Sequence, residues 1–300
     1  MEWFDGSITS VKGIRASGVA CGLKKNGEPD LALIVSERPA TAAGVFTRNL
    51  VKGHSLQLTM KRISKGQCQA LVINSGNANA CLGEAGLSDA RTMASLAASQ
   101  IDCAPELVLV GSTGVIGQPL DMQAVRDGIE AAARSLGDSA EHGHQAERAI
   151  MTTDLVPKEA VIRFQIGSNT VTVAGMAKGS GMIHPNMATM IGVIAMDCAV
   201  SQPVLSEMLR RVSDKTFNRV SVDGDTSVCD MVIALANGLS SSTLIQSGTA
   251  EADLLEKALE RVCTRLAKGI AADGEGASRM IEIRAEPLPT QRQALLIVSA

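Results

Sequence analysis

Tyrosine is absent from this 300-residue chain, and its aromatic side chains are four Phe and one Trp. An interior so poor in aromatics must be filled by aliphatic and sulfur side chains, and 13 Met help bring the apolar share to 45%. An excess of one charge sign is missing too. Lys plus Arg number 28 against 31 acids, a net −3, which leaves no electrostatic footprint for nucleic acid or an anionic membrane. The longest apolar runs, such as 31–35 and 190–196, fall far short of the ~20 residues a spanning helix needs. No two of the seven cysteines form a Cys-x-x-Cys pair, and an odd, scattered set reads as reduced thiols of a cytosolic protein rather than as disulfides or metal ligands. The N-terminus, Met-Glu-Trp-Phe-Asp, lacks the basic and apolar regions of a secretory signal. With 20% charged residues the composition is globular, sized for one large domain or two ordinary ones.

Glycine is what the chain has in excess: 28 residues, above the usual share of roughly 7%. Between the glycine-bearing loops, short apolar runs alternate with amphipathic stretches. Strands are predicted at 31–36, at 70–73 (running into the polar loop 74–77), at 107–110 (ending at Gly111-Ser112-Thr113-Gly114), at 190–196 and at 280–286. The period of two in Ile162, Phe164, Ile166 and again in Val171, Val173, around Gly167-Ser168-Asn169, predicts a hairpin. Helices are predicted from an N-cap at Ser88 to Gln100, over 119–136, after a cap at Ser201, over 226–237 with a stop at Gly238, and through Leu255, Leu259, Val262 and Leu266. Helices and strands mixed without strict βαβ order predict an α/β (α+β layered) fold.

The densest signal for chemistry is the segment from Ala177 to Met190, Ala-Lys-Gly-Ser-Gly-Met-Ile-His-Pro-Asn-Met-Ala-Thr-Met. A phosphate cradle is one reading, but the lysine precedes the glycines and no Gly-Lys-Ser/Thr follows, against the Walker order. A structural loop leading into a buried strand is the second. In the third, a strained loop presents Thr189 at the mouth of that strand. A threonine hydroxyl is a weak nucleophile and needs a base. If the Ala188–Thr189 bond is cut, the freed α-amino group, with an ordinary pKa of about 7.7–8.0, can accept the hydroxyl proton. The four histidines are read as structural or surface residues, with His142 and His144 in a polar loop and only His184 near the motif. Asp223 and Asp225 are read as loop-structuring carboxylates, because no His or Cys cluster accompanies them as it would at many metal sites.

The segment 177–190 resembles the cleavage-site motif of the ornithine acetyltransferase family, the glutamate N-acetyltransferases of arginine biosynthesis called ArgJ. Further segments resemble it in family order: 39–47 (Pro-Ala-Thr-Ala-Ala-Gly-Val-Phe-Thr), 74–80, 112–117 (Ser-Thr-Gly-Val-Ile-Gly), 149–154, 217–219 with 222–227, and 273–277 (Asp-Gly-Glu-Gly-Ala). The resemblance implies a DmpA/ArgJ-like fold with N-terminal-nucleophile chemistry. It divides the chain into an α segment, 1–188, and a β segment, 189–300. It also implies self-cleavage between Ala188 and Thr189, Thr189 as nucleophile, and an oxyanion hole of the Thr113 hydroxyl and the Gly114 N–H. Substrate-binding positions map onto Thr152, Lys178, Thr189 and Glu275. Lys178 suits a substrate carboxylate or carbonyl, and Glu275 an α-ammonium. The implied reaction is ping-pong, from N2-acetyl-L-ornithine to L-glutamate, with acetyl-CoA as a second donor in some members. No metal or bound cofactor is implied. The implied assembly is a cytoplasmic heterotetramer of two α and two β chains, with no nucleic-acid or membrane partner.

The likeness departs in two places. Cys229 stands where the family commonly has Asn. After 286 the chain does not resemble the family, which carries a further segment completing the substrate pocket, so the chain is expected to be truncated, frame-shifted or part of a split protein. Two other functions remain open from sequence: an aminopeptidase or amidase of the same fold, with water as acceptor, and a catalytically incomplete remnant that needs a partner chain.

Overall fold

The computed structural model describes residues 1–184, 190–285, 290 and 293–294. Thr189 and Ala188 lie outside the described residues. In chain order the elements are β1 (Glu2–Trp3), β2 (Ile14–Val19), β3 (Leu31–Phe46), α1 (His54–Ile63), β4 (Gln67–Asn77), α2 (Gly83–Gln100), β5 (Val108–Val115), α3 (Met122–Arg134), α4 (Ala140–Ile150), β6 (Glu159–Ile166), β7 (Asn169–Lys178), β8 (Ile191–Val200), α5 (Gln202–Lys215), β9 (Met231–Ile245) and α6 (Ala250–Ala272). Among the described residues no helix is long and apolar enough to cross a membrane.

The strands hydrogen-bond in the order β1-β6-β7-β8-β9-β3-β4-β5, with β2 on the free side of β3. Only β4/β5 and β8/β9 are parallel, and each of these pairs is joined by a crossover helix, α2 or α5. The hinge of the sheet is β3. Pro39 has no N–H to give to a ladder, and the register with β4 shifts between Val35 and Ala40 around it. Before the shift β3 pairs with β2, and after it with β9.

Alternation along the strands then sets the layers. In β3, Leu31, Leu33 and Val35 join a cluster under α2 and α3, whereas Ala32 and Ile34 join an inner cluster. In β8, Ile191, Val193 and Ala195 share that inner cluster, whereas Ile194, Met196 and Cys198 face α5 and α6. The sheet therefore carries apolar residues on both faces, with helices outside and α4 packed into the inner layer, and the expected α/β layered class holds.

Several local expectations do not. The stretch 226–237 is no helix: Met231 opens β9, and Gly238 lies inside that strand. A short apolar run such as Met-Val-Ile-Ala-Leu-Ala satisfies either period, and its place between β8 and β3 decides for strand. The polar residues 74–77 and 111–114 are not loops but continuations of β4 and β5. Ser88 lies within α2, which starts at Gly83, and His142 and His144 lie on α4 rather than in a loop. Residues 280–285 form no strand and are largely exposed. The hairpin of β6 and β7 and the helix after Ser201 stand as expected.

The α6 seam should be the main support of the β6–β9 face, since Leu255, Leu259, Val262 and Leu266 are all buried there. Leu259→Ala is expected to cost about 2–5 kcal/mol in urea unfolding.

Candidate active site

Lys158 is a buried ammonium held by two buried carboxylates, 2.7 Å from Asp154 Oδ1 and 2.7 Å from Asp273 Oδ2. Each carboxylate is also a backbone clasp. Asp154 accepts the N–H of Thr152 at 3.0 Å and of Gly179 at 2.6 Å. Asp273 accepts the N–H of Leu155 at 3.0 Å, and its carbonyl accepts the Ser180 hydroxyl at 2.7 Å. The turn at Thr152, the end of β7 and the turn after α6 are thereby drawn to one place. Burial alone would raise the Asp154 carboxyl, but the Lys178 and Lys158 charges and its hydrogen bonds hold it below its ordinary range.

At the end of β7, Lys178 is 1% exposed and donates from Nζ to Thr113 Oγ1 at 3.3 Å. Burial lowers its pKa, and the charges of Asp154 and Asp230 work in the opposite direction. An ammonium can only donate, so Thr113 accepts here, and its own hydroxyl proton remains to be given elsewhere. Thr113 and Gly114 lie on β5 opposite Ser75 and Gly76 of β4. Gly114 has φ +134°, and a Cβ there would overlap the Gly76 backbone. Only glycine fits, which leaves its N–H uncovered by any side chain of its own. Behind Thr113, Ser112 donates to Asn74 Oδ1 at 2.6 Å and meets Ser55 at 2.7 Å, fixing the strand.

Lys178 is paired with Ile191 in the β7/β8 ladder, so Met190 stands one step from the lysine's register position. The Met190 N–H donates to Asp230 Oδ1 at 3.0 Å. Glu275 is exposed, its N–H bonded to the Ser180 carbonyl at 2.9 Å, and its carboxylate leans on Gly181, where any Cβ would strike Oε2.

Of the residues singled out from sequence, Thr113, Gly114, Thr152, Lys178 and Glu275 therefore belong to one connected neighbourhood. Asp223 clasps the N–H groups of Met182, Ile183 and Asp225, as a loop-structuring carboxylate should. His54 accepts the Leu82 N–H, while His142 and His144 bond to Ser139 and Glu159, all local structural roles. Cys229 is buried beside Ala78 and Val228. Among the described residues no group of three or more His, Cys, Asp or Glu could hold a metal ion. A cavity of about 390 Å³ between β3, α1 and α5 contains none of the site residues. Sequence inspection missed Lys158, Asp273 and Asp230 as site-forming groups. Asp154 and Asp273 end or begin segments already singled out, but nothing in the local pattern around Lys158 marks it.

A model of the ArgJ family matches residues 15–300. The arginine biosynthesis bifunctional protein ArgJ of Symbiobacterium thermophilum is 51% identical over 296 residues, 98% of this chain and 73% of that protein. The crystal structure of ornithine acetyltransferase complexed with ornithine from Mycobacterium tuberculosis matches at 39% identity and TM-score 0.58, covering 61% of this chain and 97% of its own. An L-aminopeptidase D-Ala-esterase/amidase from Ochrobactrum anthropi, an Ntn-hydrolase-fold variant, matches at 14% identity and TM-score 0.52 over 90% of this chain and 86% of its own, a likeness of fold alone.

Lys158→Met leaves two buried carboxylates without their cation and is expected to cost about 3–5 kcal/mol at pH 7. Asp154 is depressed in the folded state, so its contribution is present above the ordinary carboxyl value of 3.8 and lost as pH falls through its lower folded value. Urea unfolding of both proteins across pH 3–7 should show the gap closing on the acid side.

Proposed function

Since the chain belongs to the ArgJ family, we propose that it moves an acetyl group from N2-acetyl-L-ornithine to L-glutamate in arginine biosynthesis, through an acyl-enzyme on Thr189. The observation that carries this is the Lys178–Thr113 hydrogen bond beside Gly114, at the register position where β8 begins. It supports a hydroxyl donor on Thr113, next to the backbone N–H of Gly114, near the start of β8.

The maturation step is internal. Thr189 Oγ attacks the Ala188 carbonyl, the C–N bond breaks in favour of an ester, and water hydrolyses the ester to leave a free amine on Thr189. The length of the solved ornithine acetyltransferase chain is in keeping with a break of this kind. That chain is matched over 97% of its length by 61% of this chain, about 183 residues, against the 188 that precede Thr189.

In turnover the Thr189 amine takes the hydroxyl proton as Oγ bonds to the acetyl carbon of acetylornithine. The carbonyl oxygen takes up the displaced electron pair between the Thr113 hydroxyl and the Gly114 N–H. Such preset donors typically contribute about 10²–10³ each in kcat. Collapse breaks the C–N bond, and ornithine leaves with the proton from the Thr189 ammonium. Glutamate then attacks the ester through its own amine, and the same steps run in reverse. Glu275 holds the α-ammonium of the amino acid, while Lys178 and Thr152 hold its carboxylate or the carbonyl. Acetyl-CoA serves as a second acyl donor to the same hydroxyl, no bound cofactor is required, and two cut chains pair into a tetramer of two α and two β chains.

Intact-mass measurement of the purified protein should find fragments 1–188 and 189–300, and Thr189→Ala should give one uncut chain. Consumption of acetylornithine should require glutamate, and consumption indifferent to glutamate would assign hydrolysis instead. Thr113→Val, which keeps the side-chain shape and removes the donor, should lower kcat by about 10²–10³ with KM little changed, in steady-state kinetics.

A further inference from the structure

Two buried polar atoms face the cavity of about 390 Å³ between β3, α1 and α5, and neither has a hydrogen-bond partner among the described residues. The first is the hydroxyl of Ser213, a residue 1% exposed. A serine or threonine at a helix ordinarily returns its hydroxyl to the carbonyl four residues back, as Thr216 does to Val212 at 2.7 Å. Ser213 does not. The second is Oδ1 of Asn218, in the short turn after α5. Its amide donates to Asp214 Oδ1 at 2.8 Å, which fixes the amide and leaves its oxygen buried without a donor. Unpaired buried polar atoms are costly and call for an occupant.

The charges lining the same cavity say what sign that occupant has. Arg48 and Lys52 come from the loop after β3, and Arg210 and the one acid, Asp214, from α5, a net charge of +2. The loop is pinned in place. Thr47 donates its N–H to the Asp230 carbonyl at 3.1 Å, Asn49 Nδ2 donates to the Ser227 carbonyl at 3.2 Å, and Lys52 Nζ to the Asn49 carbonyl at 2.6 Å. Lys52 keeps two further N–H groups to give. Arg210 meets Asp214 only at 3.7 Å, between exposed side chains, a pair too weak to neutralise it. The surplus of cations is therefore in position before any ligand arrives.

We infer that this cavity is a binding site for a phosphate monoester whose organic part carries a hydrogen-bond donor, of about the size of a nucleoside monophosphate. A phosphate ester places about −1.5 to −2 of charge and three acceptor oxygens on one group, which suits two guanidinium forks and an ammonium. The oxygens of a monoester dianion can only accept. Asn218 Oδ1 can only accept as well, so its donor is a hydroxyl or amine of the organic part, while Ser213 can answer either. Phe46 and Met60 give that part an apolar wall. The volume lies in the range that takes whole small molecules. None of this depends on which residue is the nucleophile.

Isothermal titration of the full chain at pH 8 with AMP, ribose 5-phosphate, inorganic phosphate and succinate tests this. One site per chain is expected, binding AMP or ribose 5-phosphate about tenfold or more tighter than inorganic phosphate or succinate. The double variant Arg48→Gln/Arg210→Gln changes two exposed side chains and should keep a thermal midpoint like wild type. It should weaken ester binding by about tenfold or more, which places the ligand in this cavity. Should it fail to fold, Lys52→Gln is read by the same measure. No binding of either ester overturns the inference. So does binding no tighter than that of inorganic phosphate or succinate, and so does a smaller loss in the folded variant.

Discussion

One buried ammonium organises the site. Lys158 sits between Asp154 and Asp273, all three out of water, and those two carboxylates reach on to backbone N–H groups in the Thr152 turn, at Gly179 and at Leu155. Ion pairs of this kind add little net stability, because the desolvation of each charge offsets its attraction to the other. Their effect is geometric. A carboxylate stripped of water must satisfy its lone pairs from the protein, and the donors on hand are backbone groups of two segments, 152–156 and Gly179, far apart in sequence. Satisfying them fixes how the end of β7, the loop after α4 and the turn after α6 meet.

The sheet supplies the rest by register. The parallel pair β4/β5 contributes a side-chain hydroxyl and a glycine backbone, and the pair β8/β9 fixes the start of β8 beside them. β5 delivers Thr113 and a glycine whose φ excludes every other residue. β7 delivers Lys178 opposite Ile191, so that the lysine and the start of β8 are fixed by the same ladder. A shift of one residue in that ladder would turn Lys178 to the opposite face, and the buried apolar alternation of β7 and β8 on both faces is what forbids it.

The layered α/β class was legible in the sequence, though several of its elements were not. Lys178, Thr113, Gly114 and Glu275 are named only by the likeness of whole segments to a family, since read locally a Thr-Gly pair or an acid between glycines is an ordinary turn, and the folded chain brings them into one neighbourhood. The β6/β7 hairpin is plain, because Ile162, Phe164 and Ile166 alternate with polar residues on a strand whose two faces differ. The stretch 231–236 is not legible, because a strand buried on both faces has no polar phase to display. Residues 74–77 and 111–114 read as loops for the opposite reason: their polar side chains bond one another and nearby backbone inside the protein, so polarity there does not mean exposure. Lys158 is hidden for want of any local pattern, since its partners lie 4 and 115 residues away and only the folded chain pairs them.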